Sequence, residues 1–128
     1  MKIEHVAYQV QDPIAVAKWY SENLGLRVKR ANETGPKMHF LADDGDHVMI
    51  ELYHNPIAPL PDYRNQHALI LHVAFTSDNI QADWDRLVAA GATVDSEPET
   101  TPAGDTVAML RDPWGFCIQL VKRAEPMI

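Results

Sequence analysis

The sequence predicts an α+β fold made of two tandem βαβββ modules, and three observations lead there. The stretch His5-Val6-Ala7-Tyr8-Gln9-Val10 has a counterpart in His72-Val73-Ala74-Phe75-Thr76, 67 residues later. Trp19 and Trp84, Gly25 and Gly91, and Glu51 and Gln119 recur at nearly the same offset, as an internal duplication with small loop changes would leave them. Each copy also shows the same succession: an alternating segment, an amphipathic segment closed by glycine, then three more strand-like segments.

The elements follow in order. Residues 3–10 alternate and read as a strand. Asp12-Pro13 supplies a helix N-cap with proline at the first helical position. Val16, Trp19, Tyr20 and Leu24 continue at helical spacing, and Gly25 stands where a left-handed residue ends a helix. Strands are predicted near 26–32, 36–42 and 47–54, with Gly35-Pro36 and Asp44-Gly45 as turns. In the second copy a strand is predicted over 69–76. Asp78 or Asn79 then caps a helix bearing Ile80, Trp84, Leu87 and Val88 that stops at Gly91. Strands near 92–96, 105–111 and 115–122 complete it, the last two joined by Asp112-Pro113-Trp114-Gly115.

The expected organisation is one domain: module one over 1–54, a linker over 55–66 stiffened by Pro56, Pro59 and Pro61, and module two over 67–124. Ala124 to Ile128 reads as a loose tail or a dimer contact. A half of this size buries little apolar surface alone, so pairing within or between chains is expected. The 128 residues are 46% hydrophobic and 23% charged, as in an ordered globular domain. A net charge of −7 argues against a nucleic-acid partner. No apolar run approaches the about 20 residues of a membrane span. Met1-Lys2-Ile3-Glu4-His5 is not the start of a signal peptide, so a cytoplasmic location is expected. One cysteine, Cys117, excludes an intrachain disulfide and a cysteine-based zinc cluster.

Alternation assigns faces, because every second side chain of a strand shares one. Val6, Tyr8 and Val10; Val48, Ile50 and Leu52; Leu71, Val73 and Phe75; and Phe116, Ile118 and Leu120 form the sets facing the helices. Four polar residues fall on the opposite face at corresponding positions of the two copies: His5, Glu51, His72 and Gln119. Two imidazoles, a carboxylate and an amide oxygen suit a divalent cation, the oxygens favouring Mg or Mn and the imidazoles Fe, Co, Ni or Zn. A lone histidine on a strand is ordinarily a surface or hydrogen-bonded residue; two at equivalent repeat positions, each with an acid or amide partner, point to a shared site.

The other ionisable residues read as ordinary. His39, His47, His54 and His67 lie near turns or strand ends, His39 and His54 being possible pocket lining. Asp43, Asp44 and Asp46 lack the twelfth-position acid of an EF-hand and read as a solvated turn. Trp19 and Trp84 read as core, and Cys117 as buried and inert. Met49, Tyr53, Phe40, Met109 and Arg111 are candidates for the pocket mouth.

The chain resembles the vicinal oxygen chelate superfamily, which includes glyoxalase I, bleomycin-resistance proteins, fosfomycin-resistance enzymes, methylmalonyl-CoA epimerase and extradiol dioxygenases. The resemblance rests on His5-Val6-Ala7, Trp19-Tyr20 through Leu24-Gly25-Leu26, Ile50-Glu51-Leu52, Leu71-His72-Val73-Ala74, and Asp112-Pro113-Trp114-Gly115 through Ile118-Gln119-Leu120. It implies a cupped, partly open barrel-like sheet of glyoxalase type, with a divalent ion held from the first, fourth, fifth and eighth strands. Those positions are His5, Glu51, His72 and Gln119 here, the residues the face assignment selects. The departure is Gln119, where glyoxalase I and extradiol dioxygenases typically carry glutamate. An amide offers its oxygen to a metal but takes up no proton at neutral pH. Glu51, at the equivalent position of the other copy, is left to move protons. Methylmalonyl-CoA epimerase resembles the mirror arrangement, with the amide on the fourth strand and the acid on the eighth.

The expected activity is that of a glyoxalase-like metalloenzyme, a lyase or isomerase. It would act on a small substrate with vicinal oxygens through a metal-stabilised enediolate, with Ni, Zn, Co, Fe or Mn as the ion and Glu51 as the catalytic residue. The alternatives are an Fe(II) or Mn(II) extradiol dioxygenase using His5, His72 and Glu51, and a non-enzymatic binder of the bleomycin-resistance kind. A homodimer is expected, since many relatives build each site from two chains.

Overall fold

The computed structural model describes residues 1–127. Ile128, the end of the tail assigned to a loose end or dimer contact, lies outside the described residues. The chain divides into two compact units, Met1–Pro61 and the part from Asp62 on. Each is an open four-stranded mixed sheet with one helix, so the described residues form the α+β, twice-repeated βαβββ succession that the sequence predicts.

The first unit runs β1 (His5–Gln9), α1 (Pro13–Leu24), β2 (Arg27–Ala31), β3 (His39–Ala42) and β4 (Met49–Tyr53). Its strand order is β1-β4-β3-β2, with β1 and β4 parallel and the other pairs antiparallel. A parallel pair requires a long crossover, which α1, β2 and β3 provide. The helix starts where Asp12 Oδ1 accepts from the Ala15 amide at 3.3 Å and stops at Gly25, whose φ of 71° is the left-handed cap. Tyr8, Leu41 and Leu52 are buried on the sheet face that meets buried Val16 and Tyr20 of the helix, and Tyr8 donates its hydroxyl proton to Tyr20 Oη at 2.8 Å. Val6 and Val28 share that face but are exposed, because β1 and β2 are the two edges of the sheet. Val48, read as core from its alternation, precedes β4 and is also exposed.

The second unit runs β5 (Val73–Thr76), α2 (Ile80–Ala89), β6 (Thr93–Thr100), β7 (Thr106–Arg111) and β8 (Cys117–Lys122), in the order β5-β8-β7-β6. Of the two candidate caps, Asn79 takes the role, its side chain accepting from the Ala82 amide at 3.2 Å. Asp78 instead offers its carbonyl to Lys122 Nζ. β6 extends to Thr100, beyond the predicted 96, and tolerates Pro98 because it is an edge strand.

The fifth strand departs most from expectation. The sequence predicts it over 69–76, but it begins at Val73, with Ala68, Leu69 and Ile70 in a turn. The run Ala68-Leu69-Ile70-Leu71 is apolar without alternating, and His67 captures the local amides. The Leu69 N–H donates to its Nδ1 at 3.2 Å and the Ile70 N–H to its carbonyl at 3.0 Å. Leu69 and Ile70 are consequently 75% and 69% exposed.

The proline-rich stretch is tied down along its length. In the first unit the buried Gln9 amide donates to the carbonyls of Ala58 (2.8 Å) and Pro59 (3.1 Å) and accepts from the Asn55 amide (2.7 Å). In the second unit Arg111 donates to the carbonyls of Tyr63 (2.8 Å), Gln66 (2.9 Å) and Gly115 (3.2 Å) and pairs with Asp95. Tyr63 also packs edge-on against Phe116, ring centroids 5.1 Å apart. The Ala124 amide is held by Asp105 Oδ1 at 2.9 Å, so the tail is anchored at its start. Among the described residues no helix is long and apolar enough to cross a membrane.

Candidate metal centre

The register of the first sheet sorts its side chains into rows. Ala7, Glu51, Phe40 and Arg30 are paired in succession across β1, β4, β3 and β2, and so share one face. Tyr8, Leu52, His39 and Ala31 form the next row on the opposite, helix-bearing face. His5, two residues before Ala7, therefore stands on the same face as Glu51. The two side chains meet there: His5 Nε2 lies 3.3 Å from Glu51 Oε2, and the imidazole packs edge-on against Phe40 with centroids 5.6 Å apart. Glu51 is largely shielded, its side chain 14% exposed against 37% for His5.

His5 Nδ1 is hydrogen-bonded to the Glu4 carboxylate. A carboxylate only accepts, so Nδ1 carries a proton and Nε2 is the nitrogen turned to Glu51. The Glu4 hydrogen bond raises the His5 pKa above its ordinary value; slight burial opposes it, and the charges of Glu4 and Glu51 add to it.

In the second unit, Gln119 is paired with Ala74 on one side and Met109 on the other, and Ser96 completes the row. This is the counterpart of the Glu51 row, residue for residue. His72 sits immediately before β5 rather than within it, half-buried, and its Nδ1 lies 3.0 Å from the Ala68 carbonyl. A carbonyl accepts only, so this ring too carries a proton on Nδ1, and Nε2 is the nitrogen left for another partner. The structure thus brings His5 and Glu51 together in one unit and places His72 and Gln119 in the other. Among the described residues no three His, Cys, Asp or Glu side chains form a ready metal-binding group.

Two orienting groups escaped the sequence reading. Glu4 was legible as an acid beside a candidate ligand, whereas the Ala68 carbonyl depends on a turn that was read as strand. Other candidates take different roles. Arg111 is no pocket-mouth residue, since its guanidinium is committed to Asp95 and three carbonyls. His39 is buried on the helix face and bonded to the Lys37 carbonyl at 2.8 Å, and His54 Nδ1 to the Val10 carbonyl at 3.1 Å. Asp46 of the acidic turn pairs with Arg27 (3.0 Å) and Lys29 (3.1 Å).

Cys117 is buried against Ala68 and Met109, and loss of hydration pushes its thiol up to about 11. The sign follows: stability is complete below the ordinary thiol pKa and falls as pH rises from there toward about 11, where the unfolded chain alone gains the charge. A thiol-disulfide indicator at pH 8 is expected to leave the native protein unlabelled and to label one thiol per chain after unfolding.

Residues 2–120 match the family described as the Glyoxalase/Bleomycin resistance protein/Dioxygenase superfamily. The chain belongs to that superfamily. This superfamily member is 30% identical over 130 residues to a probable lactoylglutathione lyase of Vibrio cholerae, covering 97% of this chain and 92% of the relative. It is 29% identical over 128 residues to a lactoylglutathione lyase of Haemophilus influenzae, with 95% and 93% covered. Glyoxalase I from Zea mays superposes with a TM-score of 0.75 at 23% identity, over 97% of this chain and 45% of that one, a likeness of fold.

Proposed function

We propose that this superfamily member is a divalent-metal-dependent enzyme of the lactoylglutathione lyase type, acting on a small substrate with vicinal oxygens. The observation that carries the reading is the His5–Glu51 pair at 3.3 Å on the helix-free face of the first sheet. The likeness to two lactoylglutathione lyases near 30% identity over nearly the whole chain supports it.

The four proposed donors, two in each unit, are of types that suit a divalent ion. Both imidazoles have their Nδ1 engaged by an oxygen acceptor and hold Nε2 as the donor, the arrangement usual in metal-ligating histidine. Glu51 adds a carboxylate and Gln119 an amide oxygen. A bound ion would supply positive charge to two neighbouring substrate oxygens as negative charge develops on them. The proton work falls to the protein. In the proposed step Glu51 takes the proton from the carbon beside the substrate carbonyl and returns it to the former carbonyl carbon, while the hydroxyl proton passes to the former carbonyl oxygen, so no proton is gained or lost overall. Gln119 holds but does not shuttle. Phe40 and Met49 add half-buried apolar side chains to that face.

Elemental analysis of the protein as purified, followed by turnover of the methylglyoxal–glutathione hemithioacetal, tests the reading. Chelation is expected to abolish turnover, and one of Ni, Co, Zn, Mn or Fe to restore it. Turnover indifferent to chelation, or none with any ion, overturns it.

A further inference from the structure

The two copies differ at the residue that precedes each histidine. Glu4 stands before His5, and at the same repeat position Leu71 stands before His72. The Glu4 carboxylate accepts the Nδ1 proton of His5, so the first imidazole is backed by an anion. Leu71 has no side-chain acceptor to offer, and His72 Nδ1 turns instead to the neutral carbonyl of Ala68 at 3.0 Å. Glu4 is also fixed through its backbone. Its carbonyl accepts from the Met49 amide at 2.9 Å, at the start of β4 and two residues from Glu51.

The same asymmetry runs through the proposed donors. His5 meets a carboxylate at each ring nitrogen, Glu4 at Nδ1 and Glu51 at Nε2, whereas His72 has only a carbonyl behind it. A carboxylate on the far nitrogen fixes the ring and raises its basicity toward a cation more than a carbonyl does. The spacing in the first unit agrees with a shared ion. His5 Nε2 and Glu51 Oε2 are 3.3 Å apart, and two donors on one tetrahedral ion with bonds of about 2.1 Å lie about 3.4 Å apart. Glu4 does not join that pair, because it is engaged by the other nitrogen of the ring.

We infer that Glu4 is a positioning residue that, through His5, makes the first unit the half that captures the divalent ion. The inference rests on the proposed function for the presence of an ion, but its test reads binding and ring state, not turnover. Binding of Ni(II), Co(II) and Zn(II) to chelator-treated protein is measured by calorimetry. The protonated nitrogen of His5 is read by two-bond proton–nitrogen NMR of the metal-free protein at alkaline pH, where the ring is neutral. Glu4→Leu, which copies the residue of the second unit, is expected to weaken binding about 10-fold and to let the His5 proton spread to Nε2. That is the low end of the range for a group behind a ligating histidine, because the Glu4 side chain is 67% exposed. Exposure also means that Tm stays unchanged. Glu4→Gln keeps an acceptor without the charge and recovers part of the affinity. His5→Ala costs more affinity than His72→Ala. Equal affinity of wild type and Glu4→Leu, or a larger loss from His72→Ala than from His5→Ala, overturns the inference and leaves the proposed function standing. No binding of any of the three ions by the wild type also overturns it. Glu4-dependent binding without turnover of the hemithioacetal upholds the inference and removes the lactoylglutathione lyase reading.

Discussion

Replacing Glu51 with glutamine is expected to lower kcat for the hemithioacetal by about 100- to 10,000-fold, the range for losing a positioned acid–base group. The substitution keeps an oxygen at the same place and nearly the same volume, so the fold and an oxygen ligand persist. What disappears is the capacity to take and return a proton. Gln119 cannot compensate, because its amide has no such capacity either. The pseudo-symmetry of the two rows supplies an internal control. Adding Gln119→Glu to Glu51→Gln moves the one carboxylate among the four proposed ligands to the equivalent position of the second unit, and part of the lost turnover is expected to return. Metal content, measured alongside, separates loss of the ion from loss of the proton carrier. Unchanged turnover of the single variant would remove Glu51 from the mechanism.

The largest stability effect is expected at Gly115. Its φ of 98° lies outside what an L side chain readily adopts, and an added Cβ would stand 2.8 Å from Arg64 Cα and Cβ and 2.9 Å from its amide nitrogen. Those are mostly backbone atoms, held by the bonds from Arg111 to Tyr63 and Gln66 on either side, so they yield only by breaking that clamp. Backbone strain and displacement together predict a loss of about 3 kcal/mol for Gly115→Ala, or a fall in Tm of about 10 °C. Gly25 is the contrast: its φ of 71° carries the conformational cost, but nothing lies within 4 Å of an added Cβ. Gly25→Ala should cost markedly less in the same melting experiment, and equal losses at the two sites would show that the Arg64 contact does not matter. Asp112 holds the same turn from inside, 1% exposed, with Oδ1 accepting from the Trp114 and Phe116 amides.

Much of the candidate site was legible because it depends on short-range rules. Alternation places His5 and Glu51 on one face of the sheet, and the register agrees, Glu51 lying in the row of Ala7. Asp12, Pro13 and Gly25 bound α1 where capping chemistry predicts. His72 was assigned to a strand because an unbroken apolar run cannot be distinguished from a buried strand by pattern, and the side-chain bonds of His67 turn it instead. Arg111 looked like a candidate for recognition, yet its partners lie 45 and 48 residues away, beyond any local signal. The same holds for Gln9, whose buried amide anchors residues 46 to 50 positions distant.

The sequence by itself determined the duplication, the two capped helices, the faces of β1, β4, β5 and β8 and the chemistry of the four candidate ligands. All of these follow from residue type and from periods of 2 and 3.6 along the chain. The tertiary structure alone decided which nitrogen each imidazole presents, which arginines are neutralised and which glycine has no room for a methyl group. Each of those depends on where a distant backbone carbonyl, carboxylate or Cα comes to lie, a property of the packed chain that no local pattern encodes.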